Sequence, residues 1–123
     1  MKNHSSCFLK LVDESKQRIQ EITAQILKNR LDQQAHFALI DVREEHEWAS
    51  GHIPKAIHIS KGVIERDIEK TIPDTQTPII VYCSGGFRCA LVADSLQRMG
   101  YSQVHSLENG LQGWLDAGFE IQK

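Results

Sequence analysis

Cysteine is scarce in this chain of 123 residues: only Cys7, Cys83 and Cys89 occur, an odd and sparse set unlike a disulfide framework. The first ten residues lack the apolar central run of a signal peptide, and no stretch approaches transmembrane length. The formal net charge is only -2, so bulk electrostatics offer no attraction for nucleic acid or an anionic membrane surface. The six histidines form no metal motif. His46, His52 and His58 recur every six residues, which is not a helical ligand spacing, and no cysteine pair accompanies them. Neither a metal nor another cofactor is expected, and a reducing cytoplasm is the expected setting. What is present, 41% hydrophobic and 24% charged residues, suits one soluble globular domain with a real core.

The stretch Pro78-Ile79-Ile80-Val81-Tyr82-Cys83-Ser84-Gly85-Gly86-Phe87-Arg88-Cys89 stands out. An apolar run of strand composition ends at a cysteine, then two glycines and an arginine lead into a helical pattern. Loop N–H groups and the positive end of the helix dipole converge above such a turn. A cysteine placed there is expected to be a thiolate nucleophile near neutral pH. Cysteines also commonly finish core strands, but an inert one requires neither Gly85-Gly86 nor Arg88.

Along the chain, residues 5 to 18 predict an amphipathic helix with Phe8, Leu11 and Val12 on one face. A short strand at Gln20-Ile22 and an N-cap at Thr23 lead into a helix from Ala24 to about Gln34, with Ile26, Leu27 and Leu31 inward. The near-continuous apolar run His36–Arg43 reads as a buried parallel strand ending in Asp41 and Arg43. A short helix over Glu44–Ser50, a strand at Ala56–Ile59 and a helix over Gly62–Ile72 follow. After the Cys83 strand and its helix, which runs to Met99, come a last strand at Gln103–Leu107 and a closing helix that ends at Gly118. This alternation predicts an α/β fold, a parallel sheet with helices on both faces. Asp41, Arg43 and Cys83 then share the carboxyl edge of the sheet, where open α/β sheets bind ligands.

Three ordered segments resemble the single-domain rhodaneses, which are sulfurtransferases. They are Leu39-Ile40-Asp41-Val42-Arg43-Glu44 with Glu47-Trp48, Gly51-His52-Ile53-Pro54-Lys55-Ala56, and Cys83-Ser84-Gly85-Gly86-Phe87-Arg88. The closing Leu107-Glu108-Asn109-Gly110-Leu111-Gln112-Gly113-Trp114 is similar to the family's last helix. The likeness starts near Glu21, leaving residues 1–20 as an N-terminal helical extension to a rhodanese-like domain over residues 21–123. It implies a three-layer sandwich around a sheet of about five parallel strands, and a cysteine that carries a persulfide.

The resemblance implies that Cys83 attacks the outer sulfur of an anionic donor such as thiosulfate. Cyanide, a cellular thiol or a protein acceptor then removes that sulfur. The N–H groups of Ser84, Gly85, Gly86, Phe87 and Arg88 are expected to cradle the persulfide, with the Ser84 hydroxyl as an added donor. Arg88 has two open roles, attracting the donor or anchoring the loop through Asp41. Asp41 and Arg43 are expected to bond to each other, or to loop amides and neighbouring carbonyls, and His52 to be a hydrogen-bonded loop residue. Trp48 and Trp114 are expected core anchors.

Two rivals remain. A phosphatase or arsenate reductase on this fold has a loop one residue longer, sized for a tetrahedral oxyanion. Here four residues separate Cys83 from Arg88. A persulfide carrier or sensor without turnover would draw on the N-terminal helix and on Cys89, which stands where a small hydroxyl residue is expected. Exposed, Cys89 would trap an oxidised or persulfidated Cys83; turned into the core, the expected orientation, it would be inert. Cys7 is expected to be incidental.

Overall fold

The computed structural model describes residues 4–123. Its elements, in chain order, are α1 (Ser6–Lys16), β1 (Gln20–Ile22), α2 (Ala24–Asp32), β2 (Ala38–Asp41), α3 (Glu45–Ala49) and β3 (Ile57–His58). Then follow α4 (Ile64–Thr71), β4 (Ile79–Tyr82), α5 (Arg88–Arg98), β5 (Val104–Leu107) and α6 (Gly110–Asp116). All strand pairs are parallel, in the order β1-β5-β4-β2-β3. This is the expected five-stranded parallel sheet of an α/β fold.

The strand order places the site. From β2 the chain moves outward to β3, whereas from β4 it moves the other way to β5. The carboxyl ends of β2 and β4 therefore flank a topological switch point, where diverging loops leave a crevice. Cys83 follows β4 directly and sits beside that crevice.

Alternation along the strands splits the core into two layers. Ile40, Val42, Ile79, Val81 and Cys83 pack on one face against Ile64 and Ile68 of α4 and Val92 and Leu96 of α5. Leu39, Ile80 and Tyr82 pack on the other face with Leu27 of α2 and Leu111 and Trp114 of α6. β4 is buried along its whole length, so its run of Ile, Val and Tyr shows no polar alternation.

Several elements are narrower than the sequence suggests. α1 lies against α5 through Val12 and Ser15, both buried, and this thin seam leaves Leu11 50% exposed. Asp94 of α5 holds α1 in place, accepting from Ser15 Oγ (3.0 Å) and from Arg18 Nη2 (2.6 Å). Thr23 caps α2 as expected, accepting from the Ile26 N–H at 3.2 Å, but Ile26 itself faces solvent. β3 shrinks to two residues because Pro54 and a left-handed Lys55 keep the chain irregular up to Ile57. Trp48 is only half-buried: rather than anchoring the core, its ring stacks on His52 at 3.6 Å and on His58 at 5.1 Å. Trp114 is a core residue.

Candidate active site

The turn after β4 is short because it is held from both ends. Gly86 has φ +97°, a conformation L side chains rarely adopt, and a Cβ there would stand 3.0 Å from the Asn109 backbone nitrogen. On the far side, Gly110 has φ +54°, and its Cβ would fall 2.5 Å from the Cys83 carbonyl oxygen. That closeness lets the start of α6 grip the turn. Leu111 N–H donates to the Cys83 carbonyl at 2.8 Å and Gln112 N–H to the Ser84 carbonyl at 2.9 Å. Gly85 differs from its neighbour. It lies outside the left-handed region, and a Cβ there would meet only the Phe87 ring at 3.9 Å.

Cys83 is 1% exposed, and its sulfur is surrounded by donors. Gly86 N–H reaches Sγ at 3.2 Å and Cys89 N–H at 3.4 Å; the Cys89 sulfur stands 3.4 Å away, and its thiol is the donor once Cys83 is a thiolate. Two of these come from a residue outside the Ser84–Arg88 set; within that set only the Gly86 amide points at the sulfur. The Cys89 thiol is the largest influence lowering the Cys83 thiol to about 6, with the two amides and the Arg88 charge adding to it against the cost of burial. Burial, followed by the proximity of Cys83, drives the Cys89 thiol the other way, well above its ordinary value. The pair thus shares one proton, held on Cys89.

Arg88 is engaged, but not by Asp41. Its guanidinium forks onto Glu47 of α3, Nη1 to Oε1 at 2.8 Å and Nη2 to Oε2 at 3.0 Å. The Ser84 hydroxyl donates to the same carboxylate at 3.0 Å, away from the sulfur. The bonds from Arg88 hold the Glu47 carboxyl down at about 2. Glu47 also caps its own helix by accepting from the Glu44 N–H at 3.0 Å, so α3 and the turn are tied through one side chain. In the sequence Glu47 stands out only as part of the first family-like segment, and no local spacing links it to Arg88.

Asp41 and Arg43 form the expected pair: Arg43 Nε and Nη2 lie 3.0 and 2.8 Å from the two carboxylate oxygens, both side chains buried. Arg43 Nη2 also donates to the Gly51 carbonyl at 2.7 Å. The pair therefore braces the Gly51-His52-Ile53 turn, and no hydrogen bond from it reaches Ser84–Arg88 among the described residues. Tyr82 completes this brace by accepting the Ile53 N–H on its hydroxyl at 3.0 Å. His52 is a loop residue as expected, bonded through its backbone to Gln122 at 2.9 and 2.8 Å. Among the described residues no cluster of His, Cys, Asp or Glu is arranged to hold a metal ion.

A cleft opens above Cys83, lined by His4, Phe8, His46, Phe87 and Gln112 with Glu47 and Arg88. α1 thus supplies one wall. The Phe87 ring meets His4 edge-on at 4.6 Å and Phe8 at 6.4 Å, and Lys16 Nζ lies 5.4 Å from its centroid.

With this geometry in view, the model of the Rhodanese-like domain matches residues 23–117. The chain is 35% identical over 96 residues to "Putative sulfurtransferase YtwF" of Bacillus subtilis (strain 168), across 78% of this chain and 90% of that protein. Among solved structures, the 30 kDa polysulfide-sulfur transferase homodimer of Wolinella succinogenes superposes with TM-score 0.80 and 25% identity, over 95% of this chain and 88% of that one. A Rhodopseudomonas palustris protein named a possible tyrosine phosphatase, RPA3614, gives TM-score 0.82 over 99% of both chains, and at 24% identity it shares the fold alone. No described helix is long and apolar enough to cross a membrane. By the family match and by its five-stranded parallel sheet, the chain belongs to the Rhodanese-like domain family.

Proposed function

We propose that this chain is a sulfurtransferase that moves a sulfane sulfur from an anionic donor to a thiophilic acceptor through a persulfide on Cys83. One observation carries the reading. A buried thiol at the carboxyl edge of the central strand receives three hydrogen-bond donors and is lowered to about 6, so it is a thiolate at neutral pH. With thiosulfate, the Cys83 thiolate forms a bond to the outer sulfur and the S–S bond of the donor breaks. The products are Cys83–S–S⁻ and sulfite, and charge is conserved. Cyanide or a thiol then takes the outer sulfur and regenerates the thiolate.

The Gly86 and Cys89 amides support the charge on the Cys83 sulfur in the thiolate that begins and ends each cycle. Arg88 contributes its field to the thiolate, while its Nη1 and Nη2 groups bond to Glu47 and Ser84. Donor selection then rests on the cleft wall, including Phe87 and α1, and a protein bearing an accessible thiol is a candidate acceptor. The short turn and the committed Arg88 also weigh against phosphate chemistry, which needs a free guanidinium facing the oxyanion. The cytoplasm suits such a thiolate.

The test is intact-protein mass after exposure to thiosulfate, for the wild type and for Cys83→Ala. A gain of one sulfur on the wild type, removed by cyanide as thiocyanate and absent from the variant, is the expected result. No gain from thiosulfate, inorganic polysulfide or mercaptopyruvate would overturn the reading.

A further inference from the structure

Cys83 suffices for the transfer just described, and it leaves a second buried thiol without a task. Cys89 is 0% exposed, yet its sulfur is not merely packed among methyl groups. It stands 3.4 Å from the Cys83 sulfur and accepts from the Ser106 hydroxyl at 3.0 Å, and that hydroxyl is itself fully buried. The two sulfurs are carried by rigid elements, one at the end of β4 and the other in the first turn of α5. They are already at the separation of reacting atoms poised for attack, about 3–3.5 Å.

Their placement also fixes a direction. Cys83 lines the open cleft and Cys89 does not; Cys89 lies on the core side, against the Leu107 carbonyl at 3.9 Å. A sulfur added to Cys83 from the cleft would point away from Cys89. Attack by Cys89 on the inner sulfur then runs in line with departure of the outer one, which thiol–disulfide exchange requires.

Building on the persulfide reading, we propose that Cys89 is a resolving thiol that discharges the Cys83 persulfide as hydrosulfide. The Cys89 sulfur forms a bond to the inner sulfur, and the inner–outer S–S bond breaks with its electron pair. The Cys89 proton ends on the departing sulfur: Cys83–S–S⁻ and Cys89–SH become the Cys83–Cys89 disulfide and HS⁻. The Ser106 hydroxyl stabilises the Cys89 sulfur as it gives up its proton. Two molecules of a low-molecular-weight thiol then reduce the disulfide, leaving one oxidised thiol dimer and the two starting cysteines. The chain thereby gains a second activity, thiol-driven release of sulfide, alongside delivery of intact sulfane sulfur. An acceptor that reaches the cleft quickly takes the sulfur; in its absence Cys89 clears it.

The experiment is a single turnover without external thiol. Wild type and Cys89→Ser are loaded with thiosulfate or inorganic polysulfide and desalted. Hydrosulfide is followed colorimetrically and the cysteine linkages are mapped by peptide mass. The wild type is expected to release about one equivalent of hydrosulfide as the Cys83–Cys89 linkage appears. Cys89→Ser is expected to lose that release and to hold its persulfide until cyanide is added; Cys89→Ala provides a second variant should the serine protein fold poorly. A wild-type persulfide as long-lived as that of the variants would overturn the discharge while leaving the transferase reading intact. Hydrosulfide release without the Cys83–Cys89 linkage would overturn it as well. If no donor loads Cys83 at all, both readings fall together, and the mass spectrum before desalting reports that outcome separately.

Discussion

Three donors converge on the sulfur of Cys83, and two of them belong to a single residue, Cys89. Removing the Cys89 thiol while keeping its backbone, as in Cys89→Ala, deletes the largest influence holding the Cys83 thiol down. The pH dependence of alkylation by iodoacetamide is expected to show a midpoint of about 6 in the wild type and a higher one in Cys89→Ala. An unchanged midpoint would mean that the amides and Arg88 alone set it. The sign for stability follows. The folded thiol lies below its ordinary 9.0, so the thiolate stabilises the fold fully above that pH and this contribution is lost as pH falls through about 6. The two glycines of the turn separate at the same scale. Gly86→Ala forces a left-handed alanine against Asn109 and is expected to cost about 1–2 kcal/mol. Gly85→Ala is expected to shift unfolding in urea by no more than about 0.5 kcal/mol. Equal costs for the two would contradict the backbone argument.

Among the elements, α1 and α6 do more than cover the sheet. α6 grips the turn after Cys83 by two backbone bonds, which is why the left-handed pair Asn109-Gly110 stands at its start. α1 seals one side of the cleft and is held to α5 by Val12 and by Asp94 with Ser15 and Arg18. Val12→Asp places a charge in that seam. Helix α1 can leave the surface to escape it, giving up the burial of Val12, about 1.5–3 kcal/mol, together with the bonds from Ser15 and Arg18 to Asp94. Such a variant is expected to become protease-sensitive between α1 and β1. Its KM for a bulky apolar thiol is expected to rise, with kcat/KM for cyanide, too small to touch the wall, nearly constant. A parallel loss for both acceptors would show that α1 supports the turn itself rather than the cleft.

For the molecule as a whole, the buried Asp41–Arg43 pair is the most exposed point of failure. Asp41 is 0% and Arg43 5% accessible, so Asp41→Ala strands a guanidinium in the core and is expected to cost about 3–5 kcal/mol, measured by urea unfolding. Domains of this kind hold only about 5–15 kcal/mol in total, so part of the variant population should be unfolded at 37 °C. Much of this framework was legible in the chain. The alternation of apolar runs with amphipathic stretches, Thr23 as a cap and the abrupt end of the β4 run at Cys83 are short-range signals, since helix and strand periods and turn chemistry act over a few residues. The parallel sheet, the order of elements along the chain and the place of Cys83 at the carboxyl edge follow from those signals alone. Tertiary packing decided the rest. Arg88 took Glu47, 41 residues away, in preference to Asp41; Leu11 and Ile26 turned outward; and Cys89 turned its thiol both into the core and onto Cys83. No local propensity specifies such choices. They depend on which face each helix presents once the layers close, and on which charges that closure brings within hydrogen-bond reach.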